Sequence, residues 1–343
     1  MLTNQEPWSW PRLALLICFG PCDRFIVWGL QIYEVLMNSR LFAPVVFAVF
    51  AMSAVAQNGP ARPKIFGVSH LAVYTSDPAA TEHFYKDTLG AAKMADPENP
   101  KGVKYALSAT QWVEVLPLPA DAGVERMDHA AWNVSSAEGM LKYLAAKGWK
   151  TPGKVEKGRD GSRWITVLDP EGNKVEFVEL PAKAAPVSAP NAIGHRIIHV
   201  GYMVHDRAKE DTFYRELLGF RPYWWGGRNG KTEWVSQQSP DSHDWMEYML
   251  TRGDSGIPSD MTQRELGVMD HIAVGVQSVP ESFKVLGAAN RLDGRHDPAP
   301  KLAVDGKWQL NMYDPDGSRS ELMNFKASEK PCCSPFTAED PSE

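Results

Sequence analysis

An eight-residue stretch, His70-Leu-Ala-Val-Tyr-Thr-Ser-Asp77, returns three more times along this chain without gaps. Each copy begins with a histidine, continues with residues typical of strands, and ends in a polar signal for a helix start. A repeat of this kind indicates one structural unit that is used several times. The other copies are His129-Ala-Ala-Trp-Asn-Val-Ser-Ser136, His199-Val-Gly-Tyr-Met-Val-His-Asp206 and His271-Ile-Ala-Val-Gly-Val-Gln-Ser278.

A helix is predicted after each copy, over residues 78–89, 137–147, 207–218 and 280–290. In the first three, apolar residues recur at i, i+3 and i+4, and a glycine closes the helix. Strand pairs come next. In the second and fourth units an Asp-Pro-x-Gly turn joins them, at Asp169–Gly172 and Asp314–Gly317. Proline presets φ in such a turn and glycine supplies a positive φ. The fold class is therefore α+β, with four βαβββ units.

Two domains of two units each are predicted, over residues 65–181 and 194–327. A linker rich in proline and alanine, residues 182–193, separates them, and residues 328–343 are expected to form a flexible tail. The length of 343 residues agrees with about two domains.

The composition is that of an ordinary globular protein, with 43% hydrophobic residues, 23% charged residues and a net charge of −6. It excludes a disordered chain, a collagen and a membrane protein with many spans. The 36 basic residues do not outnumber the 42 acidic ones, so nucleic acid is not an expected partner. Four cysteines are too few for a disulfide scaffold, and the neighbours Cys332 and Cys333 are not expected to bond to each other.

The N-terminal region has the layout of a secretory signal peptide over residues 37–56. A short basic start at Met37-Asn-Ser-Arg40 precedes the apolar run Leu41–Met52 and a small-residue cleavage site that ends at Ala56. Residues 1–36 are then an extension before the true start. The alternative is an uncleaved anchor over residues 25–55. The expected protein is exported, periplasmic or secreted, with no stable membrane association after cleavage.

Carboxylates recur in register with the four histidines. Glu176 and Glu321 each lie four residues after a turn glycine, and a Trp-x-Glu pattern gives Glu114 and Glu247. An acidic side chain is costly to bury in a strand unless it is paired or bound to a metal. Two imidazoles and two carboxylates suit a divalent ion such as Fe, Mn, Co, Ni or Zn. The predicted ligands are His70, Glu114, His129 and Glu176 in the first domain and His199, Glu247, His271 and Glu321 in the second.

The chain resembles the vicinal-oxygen-chelate superfamily, the group of glyoxalases, bleomycin resistance proteins and extradiol dioxygenases. The resemblance rests on the paired βαβββ units, the strands that begin with histidine, and the endings Asp169–Glu176 and Asp314–Glu321. It implies two half-barrel domains whose strands line a metal site, and it assigns the same eight residues as ligands. Units pair within one domain or across an interface in this superfamily, so both arrangements stay open.

The resemblance implies a metal-dependent enzyme with isomerase or lyase chemistry on a small substrate chelated through two vicinal oxygens. Glu176 and Glu321 are the candidate general bases. One alternative is an Fe(II) extradiol dioxygenase acting on a catechol, with His199, His271 and Glu321 as ligands. Another is a non-catalytic binder of small molecules, as in bleomycin resistance. The internal pseudo-symmetry suits a monomer or a homodimer. Tyr223-Trp-Trp225 either lines a pocket mouth or packs in the core.

Overall fold

The structure is a computed structural model that describes residues 59–123, 125–251 and 270–343. The predicted extension (1–36), the signal peptide (37–56) and the anchor considered over residues 25–55 lie outside these residues. Gly59–Glu343 groups as one compact unit. No helix within the described ranges is long and apolar enough to span a membrane.

The first sheet has eight strands in the order β2-β3-β4-β1-β5-β8-β7-β6, and it curves into a half-barrel. Its two central strands, β1 and β5, are antiparallel, while β4 runs parallel to β1 and β8 parallel to β5. The strands are β1 (Ile65–Thr75), β2 (Ala92–Ala95), β3 (Val103–Ala106), β4 (Trp112–Pro117), β5 (Met127–Val134), β6 (Glu156–Lys157), β7 (Arg163–Leu168) and β8 (Lys174–Glu179).

The second sheet repeats this order as β10-β11-β12-β9-β13-β16-β15-β14. The predicted α+β fold with four βαβββ units in two half-barrels is therefore confirmed, and each sheet is built from two units that are consecutive in sequence. The strands are β9 (Arg196–Val204), β10 (Arg221–Gly226), β11 (Trp234–Gln238), β12 (Trp245–Leu250), β13 (His271–Val276), β14 (Lys301–Leu302), β15 (Trp308–Tyr313) and β16 (Arg319–Asn324).

Among the residues that the structure describes, four α-helices pack on these sheets: α1 (Pro78–Glu82), α2 (Ala137–Ala146), α3 (Arg207–Asp211) and α4 (Val279–Ala288). The first and third differ from the prediction, because each continues as a π-helix, over His83–Thr88 and Thr212–Leu217. There the backbone bonds span five residues, as from Leu89 N to Phe84 O. Each π-turn carries two successive buried aromatic residues, Phe84-Tyr85 and Phe213-Tyr214.

The two Asp-Pro-x-Gly turns connect the two sheets reciprocally. Glu171, in the turn between β7 and β8, accepts hydrogen bonds from the backbone N–H groups of His205 and Asp206 after β9. Asp316, in the turn between β15 and β16, accepts from the N–H and hydroxyl of Ser76 after β1. The turn glycines have φ of 88° and 91°, as the sequence predicted. Each half therefore holds the residues that precede a helix in the other half, while the N-caps of these helices are Asp77 and Asp206.

The C-terminal residues, expected to be a flexible tail, lie against the second sheet. Asp340 is 2.7 Å from the buried Lys307 Nζ, and Phe336 packs against Tyr223. Cys332 and Cys333 are bonded to each other, contrary to the expectation. The backbone at this point is fixed by two hydrogen bonds, from Cys332 N–H to Val304 O and from Ser334 N–H to Cys332 O. The tail is ordered because it covers a buried lysine and aromatic rings, which a sequence pattern does not reveal.

Candidate metal centres

The four predicted ligands of the first sheet converge on one point, called here the first site. His70 lies inside β1 and His129 inside β5, and their Nε2 atoms are 2.9 Å apart. Glu114 in β4 places its Oε2 atom 3.5 Å from both of these nitrogens. Glu176 in β8 places its Oε2 atom 3.4 Å from His129 Nε2. The four side chains meet because the two strands that flank β1 and β5 turn their carboxylates to the same face of the sheet.

The second site repeats this geometry with His199 of β9 and His271 of β13, whose Nε2 atoms are 3.0 Å apart. Glu247 Oε2 lies 3.4 Å from His271 Nε2, and Glu321 Oε2 lies 3.6 Å from His199 Nε2. Gly201 faces His271 across the two central strands, and a Cβ there would come within 2.2 Å of the imidazole ring. A side chain here would force the ring of His271 to shift, whereas in the first sheet Ala72 faces His129 at the equivalent position.

The donor atoms fit a divalent cation. Two imidazole nitrogens about 3 Å apart cannot both point a proton at each other, so at least one presents a lone pair. Glu114 Oε2 and Glu176 Oε2 are buried and have no hydrogen-bond partner among the described residues. Burial, with Asp96 nearby, raises the pKa of Glu114 to about 11. Burying such carboxylates is costly unless a positive charge compensates for them, and a bound cation supplies that charge.

Burial also keeps one imidazole of each site neutral. Desolvation lowers the pKa of His70 well below its ordinary value, and it does the same for His199. For His129 burial acts in the same direction, but Glu176 and Asp128 outweigh it and raise the pKa. Burial raises the pKa of Glu321 to about 8. Neutral imidazoles are the form that binds metals.

The outer partners of the first site suit a metal centre. Asp128 Oδ2 lies 2.7 Å from His129 Nδ1 and accepts its proton, while the other oxygen of Asp128 pairs with Lys174. Ser69 Oγ lies 3.1 Å from His70 Nδ1. Metal-binding histidines typically donate this second N–H to an oxygen acceptor, which leaves the Nε2 lone pair directed at the cation.

The second site differs at this outer position. Arg319 Nη2 lies 2.8 Å from His271 Nδ1, and a guanidinium only donates hydrogen bonds. The neutral ring of His271 then carries its proton on Nε2, which faces Glu247. A cation binds His271 through Nε2 only if Arg319 releases Nδ1. Asp270 precedes His271 as Asp128 precedes His129, and it is buried.

One tryptophan packs against the first histidine of each site, stacked in the first site and tilted by 36° in the second, and the sequence reasoning did not assign either. The ring of Trp112 lies 4.6 Å from that of His70, and Trp245 lies 4.7 Å from His199. The signal was present in the Trp-x-Glu pattern, which places each tryptophan two residues before a predicted ligand. The lysines Lys104 and Lys307 lie over these two indole rings.

Glu98 is a further carboxylate that the sequence reasoning missed. It lies in the loop between β2 and β3, and one of its oxygens groups with donor atoms of His70, His129 and Glu176, all within 4.8 Å of one another. Burial and the adjacent Glu176 raise the pKa of Glu98 to about 10. No sequence signal marks Glu98, because it lies outside the repeated motif.

A cavity of about 480 Å³ opens beside the second site. Trp224, Trp234, Arg228 and Lys301 line it, together with Glu247. Of the two predicted carboxylate ligands in this site, Glu247 lines the cavity, together with Asp305, whereas the sequence favoured Glu321 as the reacting group. In the Tyr223-Trp-Trp225 segment, Trp224 lines the cavity and Tyr223 packs in the core.

Comparison with known proteins identifies the type of fold. The sequence profile of the Glyoxalase/Bleomycin resistance protein/Dioxygenase superfamily matches residues 67–177 and 196–322. No curated protein sequence matches the chain significantly.

Several solved structures share this fold. The Mn(II)-bound glyoxalase from Novosphingobium aromaticivorans superposes with a TM-score of 0.59 at 17% identity, over 78% of this chain and 85% of that one. Homoprotocatechuate 2,3-dioxygenase from Brevibacterium fuscum gives 0.56 at 17%, over 77% and 82%. A catechol 2,3-dioxygenase gives 0.57 at 15%, over 81% and 94%. At such identities the likeness concerns the fold alone.

Proposed function

Because the chain belongs to the glyoxalase/bleomycin resistance protein/dioxygenase superfamily, we propose that it is a metal-dependent enzyme. Its reaction is an isomerisation or a lyase-type cleavage of a small molecule held through two vicinal oxygen atoms. The metal is a divalent ion of the Fe, Mn, Co, Ni or Zn type, held by imidazole and carboxylate ligands.

One observation supports this class of reaction over the alternatives. In both sites a second carboxylate, Glu114 or Glu247, is turned toward the histidines at 3.4–3.5 Å. A facial triad of two histidines and one carboxylate does not need it. A fourth donor that is able to leave the cation can act on a substrate proton.

The roles of the chain's own residues follow from their positions. When bound, the cation supplies Lewis-acid chemistry that stabilises negative charge on the substrate oxygens. His199, His271 and the buried Glu321 hold the cation, while Trp224 and Trp234 bound the space beside it. Glu247 lines the cavity, so we assign proton transfer to it. Its carboxylate takes a proton from the carbon next to a carbonyl and returns it to the neighbouring carbon or to the leaving group.

The test is proton exchange. The Mn(II)-loaded protein is offered a panel of α-hydroxyaldehydes and α-hydroxyketones in D₂O, and deuterium incorporation is followed by NMR. We expect the Glu247→Gln variant to lose exchange by about a hundredfold or more, the usual worth of a general base. Glu216→Gln, at an exposed position, is the matched control and should exchange as the wild type does.

The outcomes separate the assignments. Glu321 would be the base instead if Glu321→Gln keeps its metal but loses proton exchange while Glu247→Gln exchanges normally. The same comparison with Glu176→Gln tests the first site. A metal-loaded wild type that exchanges no proton with any member of the panel would refute the isomerase or lyase class. A protein that binds these compounds but no metal would instead be a non-catalytic binder of the bleomycin-resistance type.

An Fe(II) extradiol dioxygenase is the second candidate. Glu321, His199 and His271 form a triad, with Glu321 Oε2 3.6 and 3.9 Å from the two nitrogens, and the cavity beside them is walled by two tryptophans. Flat aromatic walls suit a catechol ring. Oxygen uptake with catechols by protein loaded anaerobically with Fe(II) would favour this reaction, provided that the metal-free protein consumes no oxygen.

We also propose that the protein is exported after cleavage behind Ala56. The segment 37–56 has the three parts of a signal peptide, and a bond between Cys332 and Cys333 suits an oxidising compartment. Cell fractionation with N-terminal sequencing should find Gln57 first in the periplasmic or secreted fraction. An intact N-terminus in the cytoplasm or the membrane would contradict export.

We further propose that the chain acts as a monomer, since its four units already complete two sites. A homodimer is the alternative. Light scattering during size-exclusion chromatography measures the molar mass and distinguishes the monomer from the homodimer.

A further inference from the structure

We propose that the first site is a closed structural metal site in which Glu98 is a fifth protein ligand, and that only the second site receives substrate. This inference rests on the proposed metal dependence but not on the class of reaction.

Glu98 is directed into the first site and held there by two units. One of its oxygens lies within 4.8 Å of the donor atoms of His70, His129 and Glu176, and its Oε1 atom is buried with no hydrogen-bond partner among the described residues. The backbone N–H of Glu98 donates to Asp96 Oδ1 at 2.7 Å, which fixes the loop.

The second unit also contacts the loop that carries Glu98. Arg159 N–H donates to Pro97 O at 3.0 Å, so the residue next to Glu98 is bound to the loop that precedes β7. Gly158 adjoins the same carbonyl oxygen, because a Cβ on it would lie 3.4 Å away. The loop that carries Glu98 is therefore tied by its backbone to the second unit of the same half-barrel.

Counting ligands shows why this site excludes a chelating substrate. His70, His129, Glu98 and Glu176 form one group of donors, and Glu114 Oε2 lies 3.5 Å from both imidazole nitrogens. Bound together, these five side chains would take five of the six positions of an octahedral cation. A substrate that binds through two vicinal oxygens needs two adjacent open positions. Sites whose ligands all come from the protein are typically structural, whereas catalytic sites keep open positions.

The charge around the first site points to the same role. Asp96 interacts with Glu98 and Glu114, and Asp160 interacts with Glu98. With Glu176 and with Asp128, which accepts from His129, six acidic groups surround the two imidazoles. Two lysines are nearby: the ammonium of Lys104 lies over the ring of Trp112, and Lys174 pairs with Asp128. A divalent ion offsets this repulsion in the folded state, so binding the ion stabilises the fold.

The second site has a different arrangement at the corresponding loop, between β10 and β11. Glu233 there is paired with Arg228 at 2.9 Å. The described donors that group at the second site are His199, Glu247 and His271, and the cavity of about 480 Å³ reaches Glu247. The second site therefore keeps space next to its ligands, while the first fills that space with Glu98.

The experiment measures metal retention in the full-length protein. Mn(II)-saturated samples are dialysed against EDTA, and the manganese remaining per chain is determined by mass spectrometry. We expect the wild type to retain one ion per chain and Glu98→Gln to release it at least about tenfold faster, since even outer-shell changes have effects of this size. The matched control is Glu156→Gln, in the short exposed strand β6, and this variant should retain one ion.

A second readout reports the open positions directly. Water-proton relaxation by the retained Mn(II) should be weak in the wild type, with at most one exchangeable water, and stronger in Glu98→Gln re-saturated with Mn(II). The Glu98→Asp variant keeps a carboxylate and should retain more manganese than Glu98→Gln does. This result would show that a substitution at position 98 does not by itself unfold the loop.

Retention and relaxation unchanged in Glu98→Gln would overturn the inference, as would equal losses in the Glu156→Gln control. A wild type that retains one ion and yet exchanges no substrate proton would contradict the proposed reaction alone. A wild type that binds no metal at all would contradict both.

Discussion

Arg319 is the residue that most clearly distinguishes the two candidate sites. Arg319 donates to His271 Nδ1. Lys174 occupies the matching register position in the first sheet, but it donates to Asp128, and His129 Nδ1 also donates to Asp128. In the first site Asp128 accepts from Nδ1 of His129, so the nitrogen directed at the cation site is Nε2. In the second site Nε2 of His271 can present its lone pair only after Arg319 releases Nδ1.

We predict that Arg319→Met raises the Mn(II) affinity of the second site by about tenfold, the scale of outer-shell effects on metal binding. The change frees Nδ1 of His271 to carry the proton and removes a positive charge next to the cation. Competition with a chelator measures the affinity. Lys174→Met is the matched control, which should not raise the affinity of the first site. An unchanged or lower affinity in Arg319→Met would show that the arginine does not oppose metal binding.

The histidines and glutamates of both sites could be chosen from the sequence because each recurs at a fixed place in the repeat. Strand alternation and turn chemistry then place them on one face without further knowledge. Glu98 and Arg319 could not be chosen in this way. Glu98 depends on a loop whose position is set by contacts with the next unit, and Arg319 acts through a tertiary hydrogen bond.

At the level of elements, the Asp-Pro-x-Gly turns do more than join two strands. Asp316 accepts from Ser76 N, Ser76 Oγ, Thr75 Oγ1 and Arg126 Nε at 2.6–3.2 Å, and it therefore ties the fourth unit to the first. Glu171 does the same between the second and third units. The sequence predicted the turns, but their acidic third residue gave no sign of its partners in the other half.

We predict that Asp316→Ala lowers the free energy of unfolding at pH 7 by about 2–3 kcal/mol, because it leaves several donors without their charged acceptor. Glu171→Ala should give a similar loss. Glu156→Ala, at an exposed position, should change little. Denaturant unfolding measures all three, and a loss at Asp316 no larger than at Glu156 would show that the turn contributes nothing to the contact between the sheets.

The effect of Asp316 should depend on pH. Burial alone raises the pKa of this carboxyl, but hydrogen bonds from Ser76 and Thr75 outweigh burial and lower the pKa below its ordinary value. A carboxyl with a lowered folded-state pKa stabilises the fold above its unfolded value of about 3.8, and the effect disappears as the pH falls through the folded-state pKa. The difference between wild type and Asp316→Ala should therefore shrink below about pH 4. A constant difference down to pH 2 would contradict this assignment.

The helices and the C-terminal segment mark the limit of local sequence patterns. The predicted helix over residues 78–89 does exist, but its second half widens into a π-turn where Phe84 and Tyr85 are both buried. Residues 328–343 have the composition of a solvated tail, yet Asp340 pairs with Lys307, whose ammonium is buried. Tertiary packing decided both cases.

At the level of the whole molecule, a duplicated unit has produced two half-barrels with the same strand order and the same four donors. Differences outside the donors give the two sites distinct properties. The first has a fifth carboxylate and suitable outer acceptors, and the second has an adjoining cavity and an arginine on its histidine. These differences are the basis for our proposal that the first site retains a cation and the second presents one to a substrate.

The most direct test is a crystal structure of the protein saturated with Mn(II), with anomalous diffraction recorded at the manganese edge. We predict one peak about 2.0–2.3 Å from the Nε2 atoms of His70 and His129, and a second at similar distances from those of His199 and His271. Glu98 should coordinate the first ion, and solvent should complete the shell of the second. Anomalous maps with no peak between either pair of histidines would contradict the account.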